Sequence, residues 1–142
     1  MCFLGSMYEK GHGVDRDMQK ATHYFKQAGK LGNAAALSAL ARLQSSGDGG
    51  VNINFRRAKR NLIKAQKSIE SCKDEREEYK QYCQSQLEES TNTFLLSHRC
   101  SNTECVENAH YAAATSIADL KSLPKLKHCA GCGAAFYCSV HV

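Results

Sequence analysis

The residues best suited to chemistry stand in the last third of the chain: Cys100 and Cys105, then Cys129-Ala-Gly-Cys132-Gly, then Tyr137-Cys138 with His141 close behind. Thiolates are soft donors, and two cysteines two residues apart on a tight turn supply two corners of a tetrahedral zinc site with little strain. The small residues Ala130, Gly131 and Gly133 let backbone amides turn toward the sulfurs, which shields their charge and fixes their direction. A folded core does not explain five cysteines between positions 100 and 138. Disulfides are rare in a reducing compartment, so bound metal is the reading. The donor set is nearly all thiolate, which quenches Lewis acidity and favours a closed structural site over a catalytic one with an open position. His98, His110 and His128 flank these cysteines and are read as surface or capping histidines.

The order of these residues resembles the MYND-type zinc finger, whose pattern is two cysteines, a Cys-x2-Cys pair, a Tyr-Cys-x3-Cys step, and a later histidine and cysteine. Cys100 and Cys105 match the first pair, Cys129 and Cys132 the second, and Tyr137-Cys138-Ser139 the third step. The resemblance implies zinc (Zn2+) held by Cys100, Cys105, Cys129, Cys132, Cys138 and His141, in an interleaved cross-brace where the first and third pairs share one ion. Three departures stand out. The gap from Cys105 to Cys129 is long, Val142 occupies the place of the sixth ligand, and the pattern breaks off before the seventh and eighth. His141, at Cys-x2-His spacing from Cys138, is a substitute for the sixth. The chain is therefore expected to be a fragment or to carry an under-liganded site, in which Cys100, Cys105, Cys129 and Cys132 re-pair or Cys138 and His141 complete the first site. Fingers of this family dock short, often proline-rich peptides.

No catalytic constellation accompanies the cysteines. A phosphate-cradling glycine loop, Gly-x-Ser-x-Gly and His-Glu-x-x-His are all missing, and Gly11-His12-Gly13 falls in a turn between helices. The chain is read as non-enzymatic, with no catalytic residues.

The elements that carry these residues follow from an internal repeat. Leu4, Gly11, Gly13, Asp17, Ala21, Phe25 and Ala28 recur as Leu40, Gly47, Gly49, Asn54, Ala58, Leu62 and Ala65, a period of 36 to 37 residues. Ala21, Tyr24, Phe25 and Ala28 share one helix face, Asp17 is placed to cap that helix, and Gly32 ends it. Asn33 caps the next helix, whose apolar face is Leu37, Leu40 and Ala41; Gly47 to Gly50 turn the chain into a helix that buries Phe55, Ala58, Leu62 and Ala65.

Helical hairpins of this length stack into α-solenoids, since each leaves an apolar face that its neighbour must cover. The run Leu4-Gly5-Ser6-Met7-Tyr8-Glu9-Lys10-Gly11-His12-Gly13-Val14, with Asp17, Lys20-Ala21 and Tyr24-Phe25, resembles the Sel-one-like repeat (SLR), a relative of the tetratricopeptide repeat. In the second copy Gln44 replaces the tyrosine and Asn61 the aromatic. The resemblance implies a scaffold for protein contacts.

From about residue 66 to 92 the sequence reads as one long or two broken polar helices. Ile69, Cys72, Tyr79, Cys83 and Leu87 form their seam, interrupted by Arg76. Cys72 and Cys83 are expected as buried free thiols, too far apart for ligands. His12 and His23 are read as surface histidines. The net charge of +5 gathers around Arg56-Arg57-Ala58-Lys59-Arg60, read as the solvated face of an amphipathic helix. The competing class is a zinc-dependent nucleic-acid-binding or transcription-associated factor using the basic helix at 56–67; few aromatics near the cysteines and no C2H2 spacing weigh against it. With no apolar run near the roughly 20 residues that span a bilayer, and no leader, the chain is expected to be intracellular, cytoplasmic or nuclear.

The expected fold class is mainly α: an α-solenoid of helical hairpins followed by a small zinc-stabilised MYND-like module. The expected division is SLR repeats over 1–70, a polar helical connector over 71–96 and the finger over 97–142. The expected partners are other proteins or short, proline-rich peptides, with no membrane.

Overall fold

Three short polar side chains start the main helices. Asp17 Oδ1 accepts from the amides of Gln19 and Lys20 at 3.0 and 2.9 Å. Asn33 Oδ1 accepts from Ala36 and Asn54 Oδ1 from Arg57, both at 2.9 Å. Each satisfies amides that the first turn of a helix leaves without a partner. The amide of Lys20 above all holds the Asp17 carboxyl below the usual carboxylate range.

A computed structural model describes residues 1–72, 76–97, 114 and 116–122. They form α1 (Cys2–Lys10), α2 (Met18–Lys30), α3 (Ala34–Ser46), α4 (Phe55–Ser71), α5 (Glu77–Ser97) and α6 (Ile117–Ser122), with a 3-10 turn at Asp48–Gly50. Among the described residues there is no strand, and no helix is long and apolar enough to cross a membrane. The mainly α expectation holds for this part of the chain.

The two hairpins α1–α2 and α3–α4 close in the same way. Gly11 and Gly47 follow α1 and α3 in the left-handed region, at φ 72° and 77°, and their amides return to the carbonyls of Met7 and Leu43. A side chain at either position would be strained, which is why glycine recurs there. The chain then ties back to the helix it has left: Asp17 N–H donates to Tyr8 O and Asn54 N–H to Gln44 O, each at 2.9 Å.

Helix α4 buries Phe55, Ala58, Leu62 and Ala65, the face expected from its periodicity. Helix α3 differs from expectation. Beyond Leu37, Leu40 and Ala41 it also buries Ala34, Ala35, Ala36, Ser38, Ala39 and Leu43, because α2, α4 and α5 all pack against it. The polar stretch after residue 66 is two helices, broken between Ser71 and Glu77. Cys72 leaves α4 with extended backbone, φ −68° and ψ 117°. Arg76 falls in the break, while Asp74 and Glu75 lie outside the described residues. From α5, Cys83, Leu87, Phe94 and Leu95 enter the core, and Phe94 meets Phe55 edge-on with ring centroids 6.4 Å apart. Ala114, Ile117 and Leu120 join the same cluster.

How closely α1 and α2 approach depends on one glycine. A Cβ on Gly5 would lie 2.7 Å from two carbons of the buried Phe25 ring. The corresponding pair in the second hairpin is Ala41 and Leu62, where the smaller partner leaves room for a methyl group. Gly5→Ala should therefore destabilise by about 1–3 kcal/mol, the usual range for overpacking. Gly5→Ala with Phe25→Leu, which copies the second hairpin into the first, should recover part of that loss. Urea titration of the three proteins checks this; a double variant no more stable than the single one would refute it.

Candidate functional site

Small side chains on the first helix of each hairpin, with aromatic ones beside them, produce a groove. Ser6 of α1 and Ala35 and Ala39 of α3 help to floor a cavity of about 330 Å³, and Phe3, Tyr79 and Tyr82 stand at its sides. Phe3 is 77% exposed and Tyr82 49%. These are large apolar surfaces held open by helices whose opposite sides are packed. Gln86 and Glu9 supply polar edges, and Glu9 is held by an ion pair with Arg42 of α3. The groove can accept an extended chain: small floor residues admit a backbone closely, and aromatic walls take apolar side chains. The sequence reading gave these residues no binding role, and it placed Tyr79 only in the seam of a helix. The signal that would have found them is Ser6, Ala35 and Ala39 on successive first helices, set against Phe3 and Tyr82.

A second cavity, of about 320 Å³, opens where α1, α4 and α5 converge on the turn between α2 and α3. Cys2, Cys72 and Cys83 all line it, and all three are free thiols. The break after Ser71 sets α5 beside α4 and brings Cys72 and Cys83 to the same cavity. Cys83 is buried as expected, whereas Cys72 is half-buried on the rim. Burial pushes the Cys2 and Cys83 thiols up, which keeps them neutral and poor nucleophiles. Among the described residues no group of His, Cys, Asp and Glu could hold a metal ion. The expected ligands Cys100, Cys105, Cys129, Cys132, Cys138 and His141 lie outside the described residues, as do His98, His110 and His128.

The second hairpin differs from the first at one pair of positions. In the first, Tyr8 stacks on Tyr24 with ring centroids 5.7 Å apart and planes 6° from parallel. The same two positions in the second hold Gln44 and Asn61, and Asn61 Nδ2 donates to Gln44 Oε1 at 3.0 Å. A ring stack has been exchanged for an amide pair without losing the link between α3 and α4. The Sel1 repeat family matches residues 1–33 and 34–65. Two Sel1 repeats form the first two hairpins. The residues of the SLR resemblance thus fall on real repeat units, and the second Sel1 repeat keeps its geometry through its own side-chain pair. No curated protein and no solved structure matches the chain.

Tyr79 joins the groove to the cysteine cavity, since it lines both. Its hydroxyl accepts from Asn33 Nδ2 at 3.1 Å. Burial, and then the hydrogen bond and charge of Cys83, push its phenol up to about 12. Because the folded protein keeps this proton after an unfolded tyrosine, near 10, has lost it, the Tyr79 contribution to stability is intact below pH 10. It falls as pH rises from 10 toward about 12. Burial pushes the Tyr82 phenol up as well, so alkaline titration of tyrosinate absorbance should show a late phase that Tyr79→Phe diminishes, and the variant should lose stability less steeply across that window. Equal slopes for the two proteins would contradict the assignment.

The amide pair yields a second expectation. Asn61→Leu alone leaves the buried Gln44 amide without its partner and should cost about 1–3 kcal/mol, whereas Gln44→Leu with Asn61→Leu should cost less. A double-mutant cycle by denaturant unfolding measures this, and strictly additive losses would show that the pair contributes nothing.

Proposed function

We propose that this chain is a non-catalytic scaffold whose Sel1 repeats, with α5, bind an extended segment of a partner protein. The groove between α1, α3 and α5 carries the reading, because it joins a small-residue floor to exposed aromatic walls on elements fixed by the core. Recognition in such a groove rests on a few apolar anchors between the aromatic walls, with the polar edge setting register. Tyr82 and Phe3 are the side chains expected to contribute most.

The second part of the proposal is a structural zinc module built from Cys100, Cys105, Cys129, Cys132, Cys138 and His141. The chemistry of the donor set supports it: deprotonated cysteines and a neutral imidazole are what tetrahedral zinc takes. The module would add a second docking point, for short proline-rich peptides, on the same chain.

Selection of short peptides from a displayed library against the full chain tests the first part. Selected peptides should lose roughly tenfold or more in affinity for Tyr82→Ala and for Phe3→Ala, the size of effect expected of an interface anchor. Both residues are exposed, so the variants should keep their stability. Peptides that bind both variants as well as the parent would overturn the groove as the site. For the second part, metal analysis after dialysis should find about one tightly held zinc. Unchanged zinc in the Cys129→Ser, Cys132→Ser double variant would sink the ligand assignment.

A further inference from the structure

The second helices of the two repeats, α2 and α4, carry charge that their own folding does not need. Helix α2 holds three lysines and no acid, and α4 holds six basic residues against Glu70 alone. The positive charge of these two helices exceeds the +5 of the whole chain. On α4, Arg56, Arg60 and Lys64 follow one another at four-residue spacing and Lys67 continues the row; all are exposed. The side chains of Lys26, Arg56, Arg57, Arg60, Lys64 and Lys67 make no ion pair among the described residues.

Two observations separate this face from an ordinary solvated helix surface. The first is placement. Arg56 and Arg57 stand in the first turn of α4, just after the cap Asn54, where there is no acidic residue. The positive end of the helix dipole disfavours cations there, and a glutamate at Arg57 would be the better choice for the helix alone. The second is shape. A polar cleft of about 590 Å³ lies between α2 and α4, lined by Gln19, His23, Lys26, Asn52, Asn54 and Arg57. Cations and amides meet there at one recess, opening beside the basic row.

We propose that this face is a further docking surface, distinct from the groove, for an acidic polypeptide segment of a partner protein. Carboxylates along the segment would lie over the Arg56–Arg60–Lys64 row, and one would enter the cleft between Lys26 and Arg57, where side-chain amides also donate. A flexible chain can do both. A stiff nucleic-acid duplex cannot lower a phosphate into a recess while tracking the row, and no large aromatic side chain on this strip offers a stacking platform for single-stranded bases. Charge complementarity of this kind sets specificity and encounter rate.

A fluorescent peptide of alternating Asp and Ser, titrated into the full chain, is the probe. An Asn-Ser peptide and a short DNA duplex are compared at the same salt. The Asp peptide should bind more tightly than either, and its affinity should fall as salt rises because exposed charges are screened. Lys26→Glu with Arg57→Glu should weaken binding by roughly tenfold or more. The Arg57→Glu change alone should leave the melting temperature unchanged or raised, since it suits the helix N-terminus. Binding and stability then move in opposite directions, which loss of fold cannot imitate. Tyr82→Ala should leave Asp-peptide binding unaltered, so failure of the groove and failure of this surface are read separately. Equal binding of the Asp and Asn peptides, no loss in the double variant, or tighter binding of the duplex would each overturn the proposal, the last marking the face as one for nucleic acid.

Discussion

The rest of the fold depends on α3 being small enough to be surrounded. Its sequence, Ala34 to Ser46, supplies five alanines where a typical amphipathic helix would carry larger or charged residues. Small side chains let α2, α4 and α5 all pack against it. A helix buried nearly all round has no polar face, so its polar side chains must find partners inside. Ser38 and Ser45 do so by donating to Ala34 O and Ala41 O at 3.0 and 2.8 Å. Arg42 is the charged exception, and it turns to Glu9. The groove depends on the same arrangement, since Ala35 and Ala39 of α3, buried among the packed helices, line it with side chains too small to fill it.

Repetition in this chain preserves geometry and lets chemistry vary. The backbone ties that close each hairpin, from Asp17 to Tyr8 and from Asn54 to Gln44, are the same length in both. Around them the side chains change in matched pairs: Gly5 with Phe25 becomes Ala41 with Leu62, and Tyr8 with Tyr24 becomes Gln44 with Asn61. Each pair preserves the separation of its two helices by its own means. A volume exchange serves in the core, where close packing rules out a gap. An amide hydrogen bond serves where Gln44 stands between the core and the polar cleft, because a buried amide needs a partner and its neighbour is an amide too.

Much of the helical part was legible because local signals agreed with one another. Caps at Asp17 and Asn33, the recurrence of Asp17 as Asn54, the glycines after α1 and α3, and the periodic face of α4 all pointed to the same hairpins. What was not legible depended on contacts between elements. Periodicity could assign α3 one apolar face from Leu37, Leu40 and Ala41, but alanine is neutral in such patterns, so burial of its other sides awaited knowledge of α5. The meeting of Cys2, Cys72 and Cys83 likewise depends on the break before Glu77, which sends α5 back along α4. The groove was hidden for the same reason, since Phe3, Ala39 and Tyr82 come from three helices and are aligned only by stacking. Cys129-x2-Cys132 and its companions form a local pattern, and the reading of them as zinc ligands rests on spacing and donor chemistry.

Stacked hairpins sort residues by helix as well as by face. First helices supply the groove, with small and aromatic residues, while second helices present basic ones. Desolvation explains part of this separation. Positive side chains bordering an apolar groove would have to be desolvated when it fills, a cost that unpaired charges do not recover. Placed on α2 and α4 they remain hydrated and apart from the groove, and Arg42, on a first helix, is neutralised by Glu9. The one basic residue of α4 drawn toward the protein shows the same constraint: burial pulls the Lys59 amine down from its usual value, while exposed Arg56 and Arg60 flank it. If the groove and the basic face bind as proposed, their placement on different helices lets an apolar segment and an acidic one be recognised separately, with the cations of α2 and α4 left hydrated when the groove fills.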